Sequence, residues 1–130
     1  MRRALELARR AQDEAEVPIG SVVVLNGVII GEGWNRPIAS ADPTAHAEIQ
    51  AMRAAAAASG NYRLTGATLY VTLEPCDMCI GAMFHARVAR AVFGASDPKK
   101  KILKPQTDME GGLLAEDCGA LLKKFFADKR

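Results

Sequence analysis

A three-layer α/β/α sandwich with a mixed sheet of about five strands is the fold that this sequence predicts, on three observations. Two β-branched runs meet at Asn26-Gly27, a pair suited to the positive φ angles of a tight hairpin turn. Short β-branched segments then alternate with longer stretches whose apolar residues recur at helical spacing. Finally, 130 residues, 49% hydrophobic and 25% charged in mixed signs, supply one core and too little chain for two, so residues 1–130 are expected to form a single domain.

Residues 2–15 carry Ala4, Leu5, Ala8 and Ala11 at helical spacing between charges, and no Gly or Pro interrupts before Pro18. A surface helix with one buried stripe is expected there. Residues 21–25 and 28–30 are the hairpin strands and give the sheet an antiparallel edge. Residues 31–45 read as a loop, because Gly31, Gly33, Asn35, Pro37, Asp42 and Pro43 are all turn or breaker types. Asp42-Pro43 then opens a helix running through Glu48, Ile49 and Met52 to Ser59-Gly60, its alanines suited to close packing on a sheet. Residues 67–72 predict a strand, 76–85 a helix begun by Pro75, 91–94 a strand, and 95–112 an irregular, lysine-rich segment. A last amphipathic helix over 113–127 turns Leu114, Cys118, Leu121, Leu122 and Phe125 inward.

A net charge of +2 does not mark a nucleic-acid binder through bulk charge, but local clusters exist. Lys99, Lys100, Lys101 and Lys104 form one, and Arg2, Arg3, Arg9 and Arg10 another; a solvated surface and phosphate contact both stay open for them. Three cysteines cannot all pair within one chain, which fits a reducing cytoplasm. No apolar run approaches membrane-spanning length, so neither export nor a membrane partner is expected.

The chemistry is concentrated in two short stretches. His46 and Glu48 lie in Thr44-Ala45-His46-Ala47-Glu48, and Cys76 and Cys79 in Pro75-Cys76-Asp77-Met78-Cys79, each at a helix start. Helix N-termini favour thiolates over thiols, through their free N–H groups and positive dipole end. Two thiolates and one imidazole fill three of the four tetrahedral positions of Zn2+, leaving one open, as in catalytic rather than structural sites. Zinc in such a site lowers the pKa of water toward neutrality, and Glu48 is the candidate to move the proton. On a helix Glu48 would point about 200° away from His46, so it need not ligate the same ion. Cys76-x-x-Cys79 alone would also suit a redox pair or a structural zinc knuckle, neither of which needs the upstream His-x-Glu or Pro75. His85 reads as a surface or capping histidine, and Cys118 as a small buried thiol. Trp34 reads as core filling.

His46-Ala47-Glu48 followed by Pro75-Cys76-Asp77-Met78-Cys79 resembles the H-x-E…P-C-x-x-C signature of the cytidine deaminase-like superfamily. Val17-Pro18-Ile19-Gly20, the stretch from Gly31 to Pro37, Asp42 to Ile49, Asn61-Tyr62-Arg63-Leu64 and Ala67 to Met83 are similar to the bacterial tRNA-specific adenosine deaminases, and the similarity resumes over residues 113–126. The resemblance implies a cytidine deaminase-like fold and a homodimer that converts adenosine to inosine at the wobble position of a tRNA anticodon loop. It implies His46, Cys76 and Cys79 as zinc ligands, Glu48 as proton shuttle, Asn35 in contact with the flipped base or its sugar, and Val17, Leu73 and Ala95 along the pocket. Asp97 would contact the substrate backbone or cap the following turn. Residues 98–112 are shorter than the family's counterpart, and the chain opens at its first helix. Both features leave open a trimmed or engineered relative acting on adenine or cytosine in single-stranded DNA, or on a free base. A non-catalytic zinc-binding module is the third alternative.

Overall fold

The computed structural model describes residues 1–99 and 101–128. Its elements run α1 (Arg2–Asp13), β1 (Gly20–Leu25), β2 (Val28–Trp34), α2 (Pro37–Ser40), α3 (Ala47–Ser59), β3 (Thr68–Leu73), α4 (Asp77–Ala86), β4 (Arg90–Ala95), β5 (Asp108–Glu110) and α5 (Ala115–Asp128). The five strands form one mixed sheet in the order β2-β1-β3-β4-β5. β1 is antiparallel to both β2 and β3, while β3, β4 and β5 are parallel. Since β2 and β3 both oppose β1, β2, β3 and β4 all point the same way.

Period-two alternation along the strands separates the two helical layers. Val23, Leu69 and Val71 join Ala51, Met52, Ala55, Ile80 and Met83 in the main core, under α3 and α4. α1 and α5 cover the other face, α1 over the hairpin and β3, α5 over β4 and β3. The three-layer sandwich of the sequence reading is therefore the observed fold. Asn26 and Gly27 hold φ of 51° and 76°, both positive as the hairpin turn requires.

The residues read as a 31–45 loop contain structure of their own. β2 continues through Trp34, and α2 follows at Pro37–Ser40. Gly31 and Gly33 are not breakers here. A Cβ at either would overlap the α3 backbone, at the Ala51 and Ala47 carbonyls respectively, so glycine is what lets the helix lie directly on the strand. α3 begins at Ala47, not Asp42, because the Asp42 carboxylate accepts hydrogen bonds from the Thr44 N–H at 2.8 Å and the Thr44 hydroxyl at 2.7 Å, closing a turn instead. Gly60 ends α3 at φ 69°, as expected. The segment read as irregular over 95–112 includes β5, three residues paired to β4, too short to show alternation. Trp34 is no core filler: its Nε1 donates to Glu14 at 3.0 Å, and the Arg10 guanidinium lies 4.1 Å over its ring.

Glu16 is a buried carboxylate, 2% exposed, between α1 and β1. It accepts the backbone N–H groups of Ile38 at 3.2 Å and Ala39 at 2.7 Å, tying the segment that leads to His46 back to the start of β1.

Candidate active site

The carboxyl ends of β2, β3 and β4 lie along one side of the sheet, which is where ligands enter open α/β sheets. Asn35 follows β2, Leu73 ends β3 and Ala95 ends β4, so three strands deliver residues to one place. A cavity of about 710 Å³ opens there, lined by Val17, Asn35, His46, Glu48, Leu73, Cys76, Ala95 and Asp97 among others. Every residue of the sequence-based site borders it except Cys79, which is fully buried beside His46.

His46 and Cys76 are the N-cap residues of α3 and α4, both with extended backbones, and neither side chain caps its own helix. That leaves imidazole and thiol free to face each other. Cys76 Sγ lies 3.5 Å and Cys79 Sγ 3.6 Å from His46 Nδ1, and the three ligand atoms all fall within 4.8 Å of one another. Bonds of about 2.3 Å to sulfur and 2.0–2.1 Å to nitrogen at the tetrahedral angle would set sulfur and nitrogen about 3.6 Å apart. The cluster therefore fits zinc in both donor chemistry and spacing. His85 is exposed on α4 and Cys118 is buried on α5, and among the described residues only His46, Cys76 and Cys79 form the cluster.

The electrostatics of the cluster follow from crowding. The Cys76 thiol is held down to about 3 by hydrogen bonds from Cys79 and His46, while Cys79 is pushed well up by Cys76 and by burial. The His46 imidazole is raised by its bond to Cys76. Burial raises the Glu48 carboxyl, which is only 4% exposed.

Glu48 faces the same cavity as His46, and the 200° separation of an uninterrupted helix does not apply. His46 sits in extended backbone before the helix and Glu48 in its first turn. Asn35 has a structural bond: its side-chain oxygen accepts the Ala47 N–H at 3.0 Å, fixing the first turn of α3 beside His46. Asp97 caps the turn that follows it, accepting the Lys99 N–H at 3.0 Å, and it also borders the cavity. Lys99 and Lys101 reach the mouth; Lys100 lies outside the described residues. Ile19, Met78, Lys123 and Phe126 line the cavity too, and sequence reasoning misses them. α5 comes from the opposite layer, and nothing local in residues 123–126 reports that meeting.

Similarity to known proteins agrees with this geometry. The cytidine and deoxycytidylate deaminase zinc-binding region matches residues 1–95. The tRNA-specific adenosine deaminase of Haemophilus influenzae is 48% identical, over 100% of this chain and 83% of that one. Its Bacillus subtilis counterpart is 42% identical, over 100% and 88%. A solved structure from work on A-to-I editing by tRNA:A34 deaminases at the wobble position of transfer RNA is 42% identical with TM-score 0.87, covering 92% of this chain and 95% of that one. The guanine deaminase of Nitrosomonas europaea matches with TM-score 0.88 at 26% identity, over 96% and 81%.

Proposed function

Because the chain belongs to the cytidine and deoxycytidylate deaminase zinc-binding family, we propose that it is a zinc-dependent hydrolase converting the wobble adenosine of a tRNA anticodon to inosine. The observation that carries the chemistry is the His46, Cys76 and Cys79 cluster, spaced for a tetrahedral ion beside a buried carboxylate. Adenosine is preferred over a free base as substrate because identity to the adenosine deaminases is 48% and 42% over the whole chain, against 26% for the guanine deaminase.

In this reading His46, Cys76 and Cys79 hold the zinc, which when bound supplies Lewis-acid activation of water near neutral pH. Glu48 takes a proton from the attacking water, passes it to a ring nitrogen of the base and assists departure of the amino group, so that adenosine and water become inosine and ammonia. With its oxygen committed to Ala47, Asn35 has its NH2 group left to contact the flipped nucleotide. Val17, Leu73 and Ala95 form apolar wall against the base. Extrusion of the base costs least from a loop, which suits an anticodon.

The same proposal includes one domain over residues 1–130, a cytoplasmic location and a homodimer. Among the described residues no helix is long and apolar enough to cross a membrane. A second recess on α3 and α4, lined by Ile49, Met52, Ala56 and Ala82 with exposed Tyr62 at its edge, supports pairing with another copy.

Zinc-loaded protein is to be incubated separately with an anticodon stem-loop RNA, single-stranded DNA of matching sequence, and free adenine or guanine. Sequencing and product analysis should find A-to-G change in the RNA first. Conversion of DNA or of a free base with none in the RNA would overturn the substrate assignment.

A further inference from the structure

Asp77, the first residue of α4, follows the ligand Cys76 directly yet has no part in the chemistry above. Its carboxylate accepts the Ile102 N–H with both oxygens, at 3.1 and 3.0 Å, and the Leu103 N–H at 3.1 Å. A second tie lies upstream, where the Asp97 N–H donates to Glu74 at 3.0 Å. Between the two ties Lys99 and Lys101 border the cavity mouth, and the Lys101 ammonium stands 3.7 Å from Asp97. Apolar burial does not hold this strap in place, since Ile102 is 85% and Leu103 46% exposed. Its backbone is held instead by carboxylates reached across the fold.

We propose that Asp77 is a positioning residue that latches residues 101–103 onto the first turn of α4 and so sets the lysine rim where a polynucleotide phosphate meets the cavity. The inference rests on the nucleic-acid reading of the preceding section. It makes a prediction opposite in sign to simple electrostatics. Removing a carboxylate beside a basic rim should tighten phosphate binding through charge alone, whereas removing a latch should weaken it.

The test uses the zinc-loaded full chain with Asp77→Ala and Asp77→Asn. Limited trypsin digestion reads the latch without any substrate, because cleavage after Lys101 breaks the very peptide whose N–H Asp77 holds. Asp77→Ala should be cut there about tenfold faster, while Asp77→Asn, with one side-chain oxygen in place, stays near the native rate. On an anticodon stem-loop RNA, Asp77→Ala should raise KM by about 3- to 10-fold with kcat within about twofold, and Asp77→Asn should restore it. Unchanged trypsin sensitivity overturns the latch. Faster cutting with KM unchanged or lowered overturns the rim's role, and a fall in kcat with loss of zinc shows that Asp77 acts through Cys76 instead. RNA inactivity in native and variant alike defeats the substrate reading, and the trypsin arm then decides the latch by itself.

Discussion

Replacing Gly33 by alanine should injure the chemistry of a residue it never touches. The new Cβ would lie 2.7 Å from Gln50 Cβ and nearer still to the Ala47 carbonyl and the Ala51 nitrogen. Carbon atoms settle at about 3.5–4.0 Å, so α3 must recede from β2 by about 1 Å. Overpacking of this kind costs about 1–3 kcal/mol, or a fall in Tm of roughly 4–11 °C in a chain of this size. Ala47 stands between His46 and Glu48, so the shift acts where ligand and proton shuttle are held together. A displacement of about 1 Å at reacting groups costs on the order of 100-fold in rate. Gly31→Ala is the control: it presses the same helix at Ala51 and Ala55, about one turn farther from Glu48. Thermal melts and single-turnover deamination of both zinc-loaded variants separate the effects. Similar Tm losses with at least about tenfold greater rate loss for Gly33→Ala are expected. Equal rate losses, or a Gly33→Ala enzyme with native Tm and rate, would refute the reasoning.

Glu48→Gln keeps size and packing but cannot shuttle a proton; single-turnover rates should fall by about 10²–10⁴-fold while circular dichroism and bound zinc stay native. Loss of the fold or of the metal in that variant would give Glu48 a structural role instead. Asn35→Asp keeps an acceptor for the Ala47 N–H but loses the NH2 group, so Tm should hold while KM for the RNA rises by about tenfold; Asn35→Ala should lose about 1 kcal/mol of stability as well. Equal stability in the two variants would deny Asn35 its capping part. Glu16→Ala leaves the Ile38 and Ala39 N–H groups to water, costing about 0.5–1.5 kcal/mol each since both residues are exposed, and should speed amide exchange there. Native exchange there would remove Glu16 as the anchor of the segment before His46.

What was legible in the sequence was what local chemistry determines. Asn26-Gly27 specifies a hairpin by its backbone preferences alone, and His46, Glu48, Cys76 and Cys79 announce a site by residue type and spacing. Gly31 and Gly33 show the opposite case. Glycine that breaks a strand and glycine that admits a helix against it look the same in one dimension, and only the α3 contact separates them. Asp42 misplaces the start of α3 for a related reason, since the same side chain can open a helix or close a turn on Thr44. β5 lacks any pattern because three residues at a sheet edge need only backbone pairing. Glu16 and Asp77 pass for surface charges until the segments they hold, 22 and 25 residues away, fold back onto them.

The most direct test is the metal itself. X-ray absorption on stoichiometrically analysed protein should find one zinc per chain, with two sulfur neighbours near about 2.3 Å and nitrogen or oxygen completing the shell. A chain that takes up no zinc, or a His46→Ala variant whose zinc spectrum is unaltered, would contradict the account.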